Sequence, residues 1–330
     1  MWLLLRMDTP PDGILKALRS LAIEAQAHRL GNRWAIELQG NGYLPEMLLR
    51  YEEVERILPD DTPYPLVQRW NGSVELPSWK RREKLLWIAG PCSVENKAQL
   101  LSLAQDLKSL GVHVLRGGAF KARTSPYSFQ GLGEVALEWL LEARSLIGLP
   151  ICVEILSEKH LPLYEQVDIL QIGARNMDHY WLLKEVGSTQ KPVLLKRNPQ
   201  ATIEEWLLAA EYLLLHGSPW VLLCERGIRT FERSTRYMLD VGAIPVVQRQ
   251  TLLPVIADPS HAAGHWRYVE PLALSAVGAG AEGLIVEVHP DPLQAQSDSA
   301  QQLTLDQFIL LYQRANALFS ARLGHLTQPV

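Results

Sequence analysis

Eight short apolar runs recur through the last three quarters of the chain, and each ends at a polar, charged or turn-forming residue. They span 85–89, 112–115, 150–155, 167–172, 192–196, 220–224, 254–257 and 283–286. Continuous apolar runs of this length are expected for parallel strands buried on both faces. Helical patterns separate them. Residues 96–110 carry Leu100, Leu103, Leu107 and Leu110 on one face, residues 135–146 repeat the pattern, and 202–215 opens on Thr202 with Glu204 and Glu205 close behind, a start signal. About eight strand–helix units in sequence predict a (β/α)8 barrel. An open doubly wound sheet is the competing architecture, but no G-x-G-x-x-G or phosphate-binding loop follows the first run.

The residues before the barrel follow another rhythm. A strand is predicted at 2–5, a helix at 11–21, an alternating half-exposed strand at 33–38, a turn at Asn41-Gly42, a short helix at 45–50 with Pro45 at its first position, and a last strand at 51–58. This order fits a small β-α-β-β-α-β sandwich over residues 1–70, joined by a linker at 71–83 to a barrel at 84–330. An irregular N-terminal extension is the other reading.

Composition narrows the function. With 330 residues the chain suffices for one barrel and one small domain. A formal net charge of -4 leaves no basic face for nucleic acid. No apolar run reaches membrane-spanning length, and residues 2–5 are too short for a signal-peptide core. A cytoplasmic protein is expected, with Cys92, Cys152 and Cys224 as reduced thiols.

In α/β barrels the C-terminal strand ends carry the chemistry. The last two runs deliver His261 and Glu287 there, which suggests a divalent metal site. Cys92 follows the first run; taken alone, it reads more readily as a small core residue than as a ligand. After the second run comes a ten-residue segment from Arg116 to Ser125 that holds Arg116, Lys121, Arg123, Thr124 and Ser125 around a glycine pair, suited to a phosphorylated substrate. Arg175, Lys196 and Arg226 also follow strand runs. Cations at four strand ends define a positive cup able to hold more than one phosphate or carboxylate.

Gly-Pro-Cys-Ser at 90–93, Lys-x-Arg-Thr-Ser at 121–125, Ile-Gly-Ala-Arg at 172–175, Cys-Glu-Arg-Gly-Ile-Arg-Thr at 224–230, Asp-Pro-Ser-His at 258–261 and Glu-Val-His-Pro at 287–290 occur in that order. From residue 85 to 318 the chain resembles 3-deoxy-D-arabino-heptulosonate 7-phosphate (DAHP) synthases, in particular those with an N-terminal ferredoxin-like regulatory domain. The resemblance implies that Cys92, His261, Glu287 and Asp298 bind a divalent metal such as Mn, Co, Fe or Zn. It implies that Arg116, Lys121, Arg175, Lys196 and Arg226 hold phosphoenolpyruvate, and that Arg123, Thr124 and Ser125 meet erythrose 4-phosphate. Lys121, the candidate for proton transfer, joins Cys92 and His261 as the expected catalytic set. Ala122 stands where the family usually has proline, Asn198 where it often has glycine, and Ser299 where glycine is also common.

The reaction implied is an aldol-type condensation of phosphoenolpyruvate, erythrose 4-phosphate and water to DAHP and phosphate, the first step of the shikimate pathway. The alternatives are 3-deoxy-manno-octulosonate 8-phosphate synthase, whose usual Lys-Ala-Asn-Arg-Ser differs from Lys121-Ala-Arg-Thr-Ser125, and a non-catalytic sugar-phosphate or aromatic amino-acid sensor. Feedback inhibition by tyrosine or phenylalanine and a homo-oligomer, dimer or tetramer, are further expectations.

Overall fold

The structure is a computed structural model that describes residues 1–6, 9–30, 33–39, 45–48, 50–58, 62–123 and 125–326. The chain divides into two compact units, residues 1–72 with 246–253, and residues 73–245 with 254–330.

In the first unit, strands β1 (Trp2–Leu5), β2 (Ala25–Leu30), β3 (Arg33–Leu38) and β4 (Val54–Leu58) form an antiparallel sheet in the order β2-β3-β1-β4. Helices Asp12–Ser20 and Pro45–Leu48 complete a β-α-β-β-α-β, ferredoxin-like arrangement. Ile14 and Leu18, four residues apart on one helix face, pack with Leu3, Leu5, Ile36, Leu38 and Val54 in a single core. Strand β2 was not expected from the sequence. Its Ala25 and Ala27 are half-buried and Gln26 is exposed, so small residues stand where an apolar stripe would mark a strand.

In the second unit, eight parallel strands close a barrel: β5 (Leu86–Gly90), β6 (Val114–Arg116), β7 (Ile151–Ile155), β8 (Ile169–Ile172), β9 (Val193–Lys196), β10 (Val221–Glu225), β11 (Val255–Ala257) and β12 (Gly283–Glu287). Pairing of Gly283 with Leu86 through to Glu287 with Gly90 shuts the cylinder. The helices begin and end on the expected signals. Asn96 caps Lys97–Leu110, which stops at left-handed Gly111, and Thr202 with Glu205 makes a reciprocal cap on Ile203–Leu215. After β7 the chain forms a 3-10 helix, Glu158–Tyr164, in place of an α-helix; Pro162 lies inside it and has no N–H to donate.

The stretch 71–83, expected as a linker, is tied to the barrel unit over most of its length. Leu76 and Trp79 form a bridge, and Arg81 makes two hydrogen bonds to the buried Glu282 at 2.6 and 2.8 Å. No described helix is long and apolar enough to cross a membrane.

Candidate active site

The first two strand ends are set by close backbone approach. Gly90, at φ +152°, would place a Cβ 2.1 Å from the Arg116 carbonyl oxygen, and a Cβ on Gly118 would lie 2.6 Å from the Cys92 carbonyl. Only glycine lets the loops after β5 and β6 run together, joined by Gly118 N–H to Cys92 O and Val94 N–H to Gly118 O. Lys121 is thereby brought onto Cys92, with Nζ 3.0 Å from its carbonyl oxygen and 3.1 Å from Sγ.

At the end of β12, Glu287 receives Arg116 Nη1 at 2.9 Å and Gln301 Nε2 at 2.7 Å. Asp258 caps the short helix Pro259–Ala263 by accepting the His261 N–H, which points the imidazole back across the strand ends. His261 Nδ1 lies 2.7 Å from Asp258 Oδ2 and Nε2 lies 3.5 Å from Glu287 Oε1. Lys196 Nζ meets the same Asp258 oxygen at 2.5 Å. Asp298 sits at φ +47°, the left-handed region, and its Oδ2 is 3.5 Å from Cys92 Sγ.

Of the four residues expected to share a metal, Cys92, Glu287 and Asp298 offer donor atoms all within 4.8 Å of one another. His261 stands beside this triad through Glu287. The electrostatics suit a dication. Burial pushes the Cys92 thiol up to about 12, and the Glu287 and Asp298 carboxylates add to the rise against Lys121 and Arg116. Glu287 goes the other way: burial opposes its charge, but His261, Arg116 and Lys121 hold it at about 2. For Asp258 burial is likewise outweighed, by His261 and Lys196, and its carboxyl falls well below the usual range. Burial lowers His261, with Asp258 only partly compensating, so the imidazole is neutral and has a lone pair to give.

Beside the triad opens a cavity of about 350 Å³, lined by eight cationic side chains and two carboxylates, Glu154 and Asp298. Arg116, Lys121, Arg123, Arg175, Lys196 and Arg226 were expected there, and all line it. Arg226 lies with its guanidinium 4.3 Å from the Tyr237 ring centroid; its Nε and Nη1 are buried and make no hydrogen bond among the described residues. Such a cation is a ready partner for a phosphate or carboxylate oxygen. Ser125 is exposed and is not among the cavity-lining residues, and Thr124 lies outside the described residues. Sequence reasoning missed Glu154, Gln171, Arg229, Arg236 and Tyr237, which also line the cavity. Glu154 and Gln171 lie within the apolar runs of β7 and β8, where a lone polar residue was a usable signal.

A closed parallel barrel whose C-terminal rim holds a cationic cup beside a thiol, an imidazole and two carboxylates defines a class of barrel enzymes that act on anionic substrates. The DAHP synthetase I family matches residues 81–322, and the chain belongs to that family. It is 52% identical over 235 residues to phospho-2-dehydro-3-deoxyheptonate aldolase of Thermotoga maritima, covering 71% of this chain and 70% of the relative. A 2-dehydro-3-deoxyphosphooctonate aldolase of Syntrophobacter fumaroxidans is 33% identical over 67% of this chain and 82% of its own length. The crystal structure of the Thermotoga maritima phospho-2-dehydro-3-deoxyheptonate aldolase (DAHP synthase) matches with TM-score 0.76 at 40% identity over 98% of both chains. A truncated form of the Thermotoga enzyme matches with TM-score 0.73 at 43% identity, over 79% of this chain and 98% of the other.

Proposed function

We propose that this chain is a DAHP synthase, joining phosphoenolpyruvate, erythrose 4-phosphate and water to give DAHP and phosphate at the start of the shikimate pathway. The observation that carries the reading is the cavity with eight cations against two carboxylates, at the strand ends of a barrel belonging to the DAHP synthetase I family. Two phosphates and a carboxylate must be held together in one site, and that excess of positive charge offsets their repulsion.

The methylene carbon of phosphoenolpyruvate attacks the aldehyde carbon, water adds to the enol-ether carbon, and phosphate leaves with C–O cleavage. Arg226, Arg175, Lys196 and Arg116 bind the phosphate and carboxylate of phosphoenolpyruvate. Arg123, with Thr124 and Ser125, binds the aldose phosphate. Lys121, which already reaches the sulfur of Cys92, is placed to move a proton at the reacting end. Cys92, Glu287, Asp298 and His261 would hold a divalent ion, which when bound supplies Lewis-acid polarisation of the aldehyde oxygen. The crowding of two carboxylates on a buried thiol, which a dication relieves, supports this set. A mixed sulfur, nitrogen and oxygen set accepts Mn, Co, Fe or Zn.

Residues 1–70 would act as a regulatory domain that pairs with its counterpart in another subunit of a dimer or tetramer and binds tyrosine or phenylalanine. Their four-stranded antiparallel sheet, whose edge strands need cover, supports the reading. The three free, buried thiols suit a cytoplasmic setting. A turnover assay with erythrose 4-phosphate and with arabinose 5-phosphate, each with and without chelator, tests the whole reading. Product from the erythrose sugar alone, lost on chelation, is the expected result; preference for the pentose, or no turnover, overturns it.

A further inference from the structure

Residues 226–240 leave the end of β10 and return to the helix Ala243–Gln250. On the way they deliver Arg226, Arg229, Arg236 and Tyr237 to the wall of the cationic cavity. The far part of this loop, residues 231–234, is exposed, so it has little core of its own to fix it. Its two arms meet instead at a narrow neck. The Ile228 N–H donates to the Met238 carbonyl at 2.8 Å, and the Met238 N–H donates back at 3.1 Å. Gly227, at φ +96°, lets the arms close, since a Cβ there would lie 2.6 Å from the Tyr237 Cβ.

The neck is held from below by three charged side chains. Glu225, the last residue of β10, is 0% exposed, and its Oε1 accepts the Gly227 N–H at 2.7 Å and the Asp240 N–H at 3.3 Å. One carboxylate oxygen thus grips both arms. Arg197 Nη1 reaches the other oxygen, Glu225 Oε2, at 3.0 Å and Asp240 Oδ2 also at 3.0 Å. Lys196 and Asn198 line the cavity, but Arg197 between them does not. It is buried, its Nε donates to the Ala201 carbonyl at 3.0 Å, and its guanidinium lies 5.8 Å from the Trp206 ring centroid. This strand-end cation is spent inside the protein. Apolar residues of similar volume often stabilise a core as well as a buried ion pair does, but they cannot grip two backbone amides.

We propose that Arg197, Glu225 and Asp240 are positioning residues for the anion site: they lock the neck of the loop and so aim Arg226 at the phosphate of phosphoenolpyruvate. Arg226 lies between the last strand residue and the pinned Gly227 amide, and its Nε and Nη1 are buried without a partner among the described residues. A cation already desolvated gains most from an anion only if its direction is fixed beforehand. The assignment rests on the reading of the cup as the phosphoenolpyruvate site.

Calorimetric titration of the full-length protein with phosphoenolpyruvate, and separately with inorganic phosphate, tests the clamp. Asp240→Asn keeps an oxygen for the Ala243 N–H but turns an amide donor toward Arg197, at a side chain 28% exposed to water. Affinity for both anions should fall about tenfold, the scale of a misaimed charged group. In an Arg226→Ala background the same substitution should change affinity by less than about twofold, because the residue through which the clamp acts is gone. In turnover, the KM for phosphoenolpyruvate should rise by about the same tenfold while that for the aldose moves by less than about twofold. Arg197→Lys, which keeps the charge but cannot hold Glu225, Asp240 and Ala201 at once, is the second variant, with the same expected loss and the same dependence on Arg226. Unchanged affinity in the folded variants, or an equal loss with and without Arg226, would overturn the proposal. A parent protein that binds inorganic phosphate but not phosphoenolpyruvate would remove the substrate reading instead, and the phosphate titrations alone then decide the clamp.

Discussion

Gln302 holds Cys92 by its backbone: its Oε1 accepts the Cys92 N–H at 3.0 Å while its Nε2 donates to the Ser297 carbonyl at 2.9 Å. The residue is 1% exposed and spans the two loops that carry Cys92 and Asp298, which the Ser93 and Ser297 hydroxyls join again at 2.6 Å. Gln302→Leu keeps the volume but leaves a buried donor and acceptor unpaired, each costing about 1–3 kcal/mol. Metal affinity should fall by about tenfold or more, as for other groups that orient ligands. Chelator competition measures it, and Gln302→Glu, which can still accept the Cys92 N–H, should lose less. Unaltered affinity in a folded Gln302→Leu protein would refute the clamp.

Metal removal is the second expectation. Exhaustive chelation should abolish turnover and added Mn²⁺ should restore it. Cys92→Ala, which deletes the soft ligand, should weaken metal binding. A core role for this cysteine predicts instead near-normal turnover, since the thiol is small.

The third concerns the division of the cup. Lys121→Ala and Arg226→Ala should each lower turnover or raise the KM for phosphoenolpyruvate by at least about tenfold, from charge-assisted bonds of about 1.5–3 kcal/mol. Arg123, whose Nε is fixed on the Phe129 carbonyl at 3.1 Å, should act mainly on the KM of the aldose when replaced by Ala. Equal shifts in both constants for all three variants would mean that the cup is one undivided site.

How much of this was legible in the sequence depends on whether the information is local. Strands buried on both faces show as unbroken apolar runs, so β5 to β12 and the polar groups at their ends were readable, and with them Arg116, Lys121, Arg175, Lys196, Arg226 and His261. Arg236 and Tyr237 were not. They come from a loop placed by backbone bonds to a distant segment, Arg236 N–H to Ala263 O and Tyr237 N–H to Ala262 O. Nothing in their neighbourhood along the chain announces that contact. The same holds for Gln302, whose partner Cys92 is 210 residues away. In β2, where Leu30 is the one large apolar residue, the period-two signal is lost although the strand forms.

His113 gives a pH-dependent prediction. Its pKa falls from 6.5 to about 4 on folding, chiefly by burial and then by Lys84. Between these values the unfolded chain binds the proton and the folded chain does not, so stability is full above pH 6.5 and is lost as pH falls toward 4. A depression of this size corresponds to roughly 1–3 kcal/mol once partial solvation is allowed for. His113→Gln should flatten the melting-temperature profile across that window relative to the parent. An identical slope in both proteins would show that His113 does not titrate in the way its surroundings require.

The last prediction concerns residues 1–70. The barrel has all eight strands after residue 85, so the N-terminal sheet contributes no strand to it. The truncated Thermotoga structure, covering 79% of this chain, shows that a relative was obtained in shortened form. Deleting residues 1–70 should therefore leave condensation activity in place. If the small unit binds tyrosine or phenylalanine between subunits and biases the chain toward a closed arrangement, inhibition is a population shift and must vanish with the unit. Initial rates at millimolar tyrosine and phenylalanine, in the intact and shortened chains, separate the outcomes. Inhibition retained after deletion moves the effector site to the barrel. Indifference of the intact chain to both amino acids leaves residues 1–70 with an oligomerising role, which the sedimentation of the shortened chain would then show.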